Sequence, residues 1–350
     1  MKKIAIFQAN LNVGGIQRSL VNLIKSDILD AYEVDVYLFS KDVFYDISEL
    51  SSNIHINFLE PFPYWFRFLP FGFIKKICKR PGIDKDYDIV IDYDSYRQEC
   101  AYYVSLYENA KKIMWIHNDM SKEYEYNKKY RILYAFFKNK YKYFDEFVAV
   151  SEGVIAPFRK FSKMHDAKVT VIPNIINVDK IIAQSQEESE VKVDATMTNI
   201  ACMGRIYVQK GYDYLLEDFQ KAVSIKDTLR LYIIGAGPDE ERYKEWVKQN
   251  NLQDKVYFLG NRTNPFHILK QMDAFCLESR YEGQGMVLWE AKVLGLKLIF
   301  PKRLEKYNIY LEGTDDIVQS MLELKKEEKK IDLLKEYQQY IEDNFKEILS

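Results

Sequence analysis

Lys3-Ile4-Ala5-Ile6-Phe7 is followed by a polar stretch that reaches Gly14-Gly15, and then by Ile16-Gln17-Arg18-Ser19-Leu20-Val21-Asn22-Leu23-Ile24. The first run has β character, the glycines mark a loop, and the apolar residues of the third recur at helical spacing. This strand, loop and helix unit decides the fold because it repeats. Short apolar runs return at residues 33–39, 54–58, 87–92, 112–117, 146–151 and 169–174, and a polar connector follows at Gln184-Ser185-Gln186-Glu187-Glu188-Ser189-Glu190. A second series then occupies residues 199–204, 229–235, 256–260, 274–277 and 296–300. Strands that alternate with helical segments form parallel sheets covered on both faces. We therefore expect an α/β protein of two doubly wound Rossmann-like domains, residues 1–178 and 179–334, with a ligand cleft where the carboxyl ends of their strands converge. The charged segment from about residue 327 to 349 carries apolar residues at helical spacing and reads as one amphipathic helix.

The composition narrows the function by exclusion. With 350 residues and 47% apolar side chains the chain can bury two ordinary cores. A formal charge of −2 gives no global reason to expect nucleic acid as a partner. Cys78, Cys100, Cys202 and Cys276 stand far apart, without metal-ligand or disulfide-framework spacing, so we read a reducing, cytoplasmic setting. No run of about 18 apolar residues is present to span a bilayer, and the N-terminus lacks a signal-peptide core.

The chemistry concentrates in Ser279-Arg280-Tyr281-Glu282-Gly283-Gln284-Gly285-Met286-Val287-Leu288-Trp289-Glu290-Ala291-Lys292. Glu282 and Glu290 have seven residues between them, across a glycine-bounded turn that opens a helix. Free N–H groups and a partial positive charge at that helix start, with Gly283 and Gly285 allowing close approach, suit a phosphate at Gly285, Met286 and Val287. Glu282 can accept hydrogen bonds from sugar hydroxyls, and Glu290, two turns into the helix, from a ribose hydroxyl. Two surface carboxylates drawn to a helix start by its dipole are the plainer alternative.

This stretch resembles the Glu, seven residues, Glu signature of the large family of retaining GT-B glycosyltransferases. Other segments resemble the same family in the same order: Gly14-Gly15-Ile16-Gln17-Arg18, Ala149-Val150-Ser151, Ile172-Pro173-Asn174, Met203-Gly204-Arg205 with Lys210-Gly211, and Ile234-Gly235-Ala236-Gly237-Pro238. The resemblance spans about residues 3 to 300. It implies a GT-B fold, with the final helix, residues 335–350, crossing back to the N-terminal domain. It also implies transfer of a sugar from a nucleotide diphosphate, most often UDP, with retention of configuration and without a metal or other cofactor. Arg205 and Lys210 then stabilise charge on the departing phosphate, which is where two fixed cations act best. His117 falls where the family often places a histidine near the donor sugar. Gly14 and Gly15 would close over the diphosphate or frame the acceptor, although Gln17 stands where many relatives carry glutamate. Gln284 and Gly237 join the donor site, and Arg262 lies where the base is contacted. His55, His165 and His267 read as structural or surface residues, and Asp92-Tyr93-Asp94 as bordering the acceptor side rather than as a metal motif.

Two segments point to a surface partner. Residues 62–80 and 128–142 interleave aromatic and basic side chains, and residues 61–142 hold 16 lysines and arginines against 10 aspartates and glutamates in a slightly acidic chain. That asymmetry suits peripheral attachment to anionic lipid on the inner face of the cell membrane, with a glycan or lipid-linked saccharide as acceptor. Within enzymes the rival reading is a sugar-nucleotide epimerase, whose acid and base groups we do not find. From another class the rival is a catalytically silent glycosyltransferase-like subunit that stabilises a partner enzyme, for which the set Arg205, Lys210, Glu282 and Glu290 would have no chemical need.

Overall fold

The short apolar runs form two all-parallel sheets in the computed structural model, which describes residues 1–12, 14–77 and 85–350, with Ile77 described by its backbone alone. The first sheet contains β1 (Lys2–Gln8), β2 (Tyr32–Leu38), β3 (Ile54–Phe58), β4 (Ile89–Asp92), β5 (Lys111–Ile116), β6 (Glu146–Ala149) and β7 (Val169–Val171), in the order β3-β2-β1-β4-β5-β6-β7. The second contains β8 (Thr198–Met203), β9 (Leu229–Ile234), β10 (Val256–Gly260), β11 (Ala274–Cys276) and β12 (Lys297–Ile299), in the order β10-β9-β8-β11-β12. Continuous burial along β4 and β8, rather than alternation, is the mark of strands covered by helices on both faces.

Each sheet belongs to its own compact unit. One unit is Met1–Ile175 with Glu336–Ser350, and the other is Ile176–Lys335. In the first, the returning helix Lys335–Leu349 buries Tyr337, Ile341, Phe345, Ile348 and Leu349. Phe345 stacks on Trp115 at 5.6 Å, and the Tyr337 hydroxyl donates to the Asn174 carbonyl at 2.6 Å. In the second, Ile200, Cys202, Leu231 and Ile233 of the sheet pack with Leu215, Leu216 and Phe219 of the helix Tyr212–Ile225.

In both sheets the strand order reverses at one place, between β1 and β4 in the first and between β8 and β11 in the second. The loops leaving the carboxyl ends of those strands diverge to opposite faces of the sheet, which opens a crevice there.

Three expectations are corrected. The polar connector begins at Gln186, because Val178–Ser185 is a helix with Asn177 capping the Lys180 amide and Ser185 buried. The terminal helix starts at Lys335 rather than near residue 327: residues 327–334 run without helix, the Asp332 amide donates to the Val293 carbonyl, and Leu334 adopts φ 52°. The segment 128–142 is not uniformly a surface, since Tyr130, Phe137, Lys140 and Tyr141 are buried. Cys78, Lys79 and Arg80 of the segment 62–80 lie outside the described residues.

Candidate active site

The crevice of the second unit is built by two loops that are stitched together. β8 ends at Met203 and leads through Gly204, Arg205 and the turn Val208–Lys210 to the helix Tyr212–Ile225. β11 ends at Cys276 and leads through residues 277–285 to the helix Met286–Val293. The Arg280 amide donates to the Gln209 carbonyl at 2.8 Å, and Gln209 Nε2 donates to the Tyr281 carbonyl at 3.2 Å. The Arg280 guanidinium forks onto Asp213 at 2.8 and 2.5 Å, reaches the Val208 carbonyl at 2.8 Å and lies 4.3 Å above the Tyr214 ring. Such two-pronged pairs fix geometry as well as charge.

Gly211 makes the close approach possible. It sits at φ 63°, and a Cβ there would come within 2.2 Å of the Glu278 carbonyl oxygen. Gly211→Ala is expected to cost about 1–2 kcal/mol from the left-handed backbone alone, with the collision adding to it. Denaturant unfolding measures the sum, and a loss under about 0.5 kcal/mol would mean the loops separate easily.

Within this frame the structure brings Lys210 and Glu282 together. Lys210 Nζ and Glu282 Oε1 are 2.8 Å apart, with side chains 19% and 6% exposed, and Ser279 Oγ donates to the same carboxylate oxygen at 2.5 Å. A carboxylate so deep in protein is stabilised by this charge-assisted pair. Arg205, on the neighbouring turn, is exposed and places its guanidinium 5.7 Å from the Tyr207 ring centroid. Lys210 therefore positions a carboxylate while keeping part of its side chain exposed, and Arg205 faces outward. Glu290 is 1% exposed on the second turn of its helix, beside buried Trp289.

The turn before that helix is less open than the sequence suggests. Gly283, Gln284 and Gly285 are buried, the Gly285 amide donates to Asn308 Oδ1 at 3.1 Å, and the Met286 amide to the Gln284 carbonyl at 3.0 Å. The N-terminal donors are thus partly engaged, with Met286 buried and Val287 half-buried behind them.

Of the remaining residues singled out in the sequence, Gly237 adjoins the β8 loop and the others lie elsewhere. Gly237 packs its backbone against Ile206, whose carbonyl oxygen would lie 2.1 Å from an added Cβ. Arg262 follows β10, at the sheet edge, and pairs with Glu190 at 3.7 Å. In the first unit Gly14 precedes the helix Gly15–Ile24 and exchanges hydrogen bonds with the Tyr45 hydroxyl, while Gly15 has open space where a Cβ would go. His117, just past β5, is buried against the Tyr93 ring at 4.8 Å and hydrogen-bonded to the Tyr93 backbone. Burial holds its pKa down to about 3, so the imidazole is neutral at physiological pH. Its Nε2 has no protein partner among the described residues.

Residues 184–303 match Glycosyl transferases group 1, and residues 13–180 match Glycosyltransferase Family 4. The chain belongs to the GT-B glycosyltransferases. An uncharacterized glycosyltransferase of Methanocaldococcus jannaschii is 29% identical over 55% of the chain, and that alignment spans about half of the relative, 48% of its length. The N-acetylgalactosamine-N,N'-diacetylbacillosaminyl-diphospho-undecaprenol 4-alpha-N-acetylgalactosaminyltransferase of Campylobacter jejuni is 24% identical over 83% of the chain and 78% of its own. Among solved structures, Anabaena HepE in complex with UDP and glucose superposes with a TM-score of 0.63 at 15% identity, covering 99% of this chain and 94% of HepE, which supports the shared fold.

Several residues that shape the transferase's crevice escaped the sequence reading. Arg280 reads as a neighbour of Glu282, yet it clamps the loop to Asp213. Asn308, 1% exposed, holds the Gly285 amide from 23 positions away, with no local signal. Glu278 is pushed up to about 8, first by burial and then by the nearby Asp218, with Arg303 opposing. Arg303 donates to the carbonyls of Glu278 and Ser279.

Proposed function

We propose that this transferase is a retaining, metal-independent enzyme that moves a hexose or N-acetylhexosamine from a UDP-sugar to a lipid-linked saccharide in bacterial surface-polysaccharide synthesis. The observation that carries the reading is the Lys210–Glu282 pair beside the outward Arg205, at the strand-order reversal of the second unit. Glu282, oriented by Lys210 and Ser279, receives the hydroxyls of the donor sugar. Arg205 and Lys210 meet the diphosphate, and Glu290 the ribose. As the bond from the anomeric carbon to phosphate breaks, its electron pair settles on the phosphate oxygen, where fixed cations act without reorganisation. The acceptor oxygen bonds to the anomeric carbon on the same face, and its proton passes to the leaving phosphate. His117 is neutral at physiological pH and supplies no proton to this step.

The UDP assignment draws on HepE, solved with UDP and glucose, and the acceptor class on the Campylobacter enzyme, whose name specifies a diphospho-undecaprenol substrate. Peripheral attachment to the inner membrane face is supported by side chains: Tyr64, Trp65, Phe68, Phe73 and Ile132 are exposed, and Phe68 packs edge-on to Phe136 at 6.0 Å, joining the two aromatic-basic segments into one face. No helix among the described residues is long and apolar enough to cross a membrane.

Binding and hydrolysis across UDP-, GDP- and ADP-sugars, with chelator present, test the proposal. One UDP-sugar is expected to bind and turn over, and Glu290→Ala to weaken its binding about tenfold, the loss of one charged hydrogen bond. NMR of the product's anomeric proton reads retention. If folded protein binds no donor, the silent-subunit reading replaces this one.

A further inference from the structure

A cavity of about 230 Å³ opens in the first unit, where the loop and helix that follow β4 meet the turn Tyr64–Phe68 and the helix Lys128–Phe137. Gln98 and Glu99 line it, each 5% exposed. Gln98 Oε1 and Glu99 Oε2 take no hydrogen bond from the described residues. A buried acceptor left unmet costs roughly 1–3 kcal/mol, and two such oxygens beside one cavity call for a ligand that brings donors. Arg67 and Arg97 line the same cavity, Arg97 at 3.9 Å from Glu99 Oε1 and Arg67 stacked 4.7 Å from the Tyr64 ring. Leu133 and Phe137 complete an apolar wall.

Buried acceptor oxygens, guanidinium donors and an apolar face match the hydroxyls, ring oxygen and C–H surface of a sugar. A phosphate fits poorly, because it would bring its charge against Glu99. The volume is below the 300–1,000 Å³ typical of larger ligands and suits a single ring. The cavity walls also carry an apolar surface outward: Arg67 shares its turn with exposed Tyr64, Trp65 and Phe68, and Leu133 neighbours exposed Ile132.

We infer that this cavity is an acceptor subsite that takes one sugar ring of an amphiphilic saccharide on Gln98, Glu99 and Arg67, while the apolar chain lies along Tyr64, Trp65, Phe68 and Ile132. The inference rests on the acceptor class proposed above and assigns residues to it. Behind the Phe137 wall lies Lys140, its ammonium bonded to the Ser95 carbonyl and 4.9 Å from the Phe137 ring centroid, without lining the cavity itself.

The test is binding of methyl and n-octyl glycosides of glucose, galactose, N-acetylglucosamine and N-acetylgalactosamine to the full chain, below the micelle concentration, by ligand-observed NMR. UDP binding is measured on the same samples. At least one octyl glycoside is expected to bind more tightly than its methyl counterpart. Glu99→Leu and Arg67→Ala should each weaken it about tenfold with UDP binding unchanged, and Trp65→Ala should erase only the octyl advantage. Arg67 and Trp65 are partly or well exposed, so their variants keep the test valid if Glu99→Leu unfolds. Glycosides that bind wild type and all variants alike, or that fail to bind a protein that binds UDP, overturn the subsite. A methyl glycoside that matches the octyl one overturns the amphiphile. Loss of UDP binding in wild type counts against the donor reading alone.

Discussion

Arg205→Ala is expected to lower kcat/KM for the preferred donor by about 10²–10³-fold, the usual loss when one fixed group stabilising transition-state charge is removed. Its side chain is exposed and its guanidinium lies near the Tyr207 ring rather than in the core, so the melting temperature should stay where it is. Most of the loss should fall on kcat, because the charge that Arg205 meets develops as the glycosidic bond breaks. Glu282→Ala should lose activity on the same scale for a different reason, since the sugar hydroxyls lose their acceptor and Lys210 loses the partner 2.8 Å away. There the loss divides between donor affinity and kcat, and stability falls because a mostly buried ammonium is left unpaired. Donor Kd, kcat and thermal unfolding separate the two variants. Arg205→Ala within threefold of wild type would remove it from the reaction.

The sheets were legible because strands covered on both faces are written as continuous apolar runs, and β8, Thr198-Asn199-Ile200-Ala201-Cys202-Met203, is buried along its whole length. The stretch 279–292 was legible for another reason: glycines and carboxylates crowd a strand-to-helix turn. What crosses space leaves no such pattern. Asn308 reaches Gly285, and Arg280 is aimed at Asp213 by a fold that the local sequence does not record. Composition also misled where burial overrides it. Lys140 reads as one more cation of a lipid-facing segment, yet it is fully buried, because the carboxylates it neutralises lie on the β4 loop, more than 40 residues earlier. The engaged amide of the loop 277–285 was equally hidden: glycines there advertise free N–H groups, and only the packed structure shows that the Gly285 amide is bonded to Asn308.

Lys140→Met is expected to destabilise the first unit by about 1.5–3 kcal/mol near neutral pH, the range for losing a hydrogen bond from a charged donor. Its ammonium bonds the Ser95 carbonyl beneath a loop that is closed by carboxylates: Asp92 Oδ1 accepts the Ser95 amide at 2.9 Å, and Asp94 Oδ2 accepts the Ala9 amide and Gln8 Nε2, each at 3.3 Å. Ser95 itself is held at φ 54°. Burial pushes Asp92 up to about 7 and Asp94 up to about 6 against the pull of Lys140, and pushes Lys140 down. Both aspartates therefore bind protons more tightly folded than unfolded. Their protonation supports the fold in full below about pH 4, and that support is lost as pH rises through 6 and 7. Lys140 limits the loss by offsetting the charge that appears. Methionine cannot, so the variant's deficit should be small near pH 5 and grow toward pH 8. Hydrogen exchange at β1 and β4 reads this unit, with β8 in the other unit as the internal control, and avoids assuming that two units unfold as one. A deficit of equal size at pH 5 and pH 8 would mean that Lys140 acts by filling space, and that the charge of the β4 loop is neutralised by some other group.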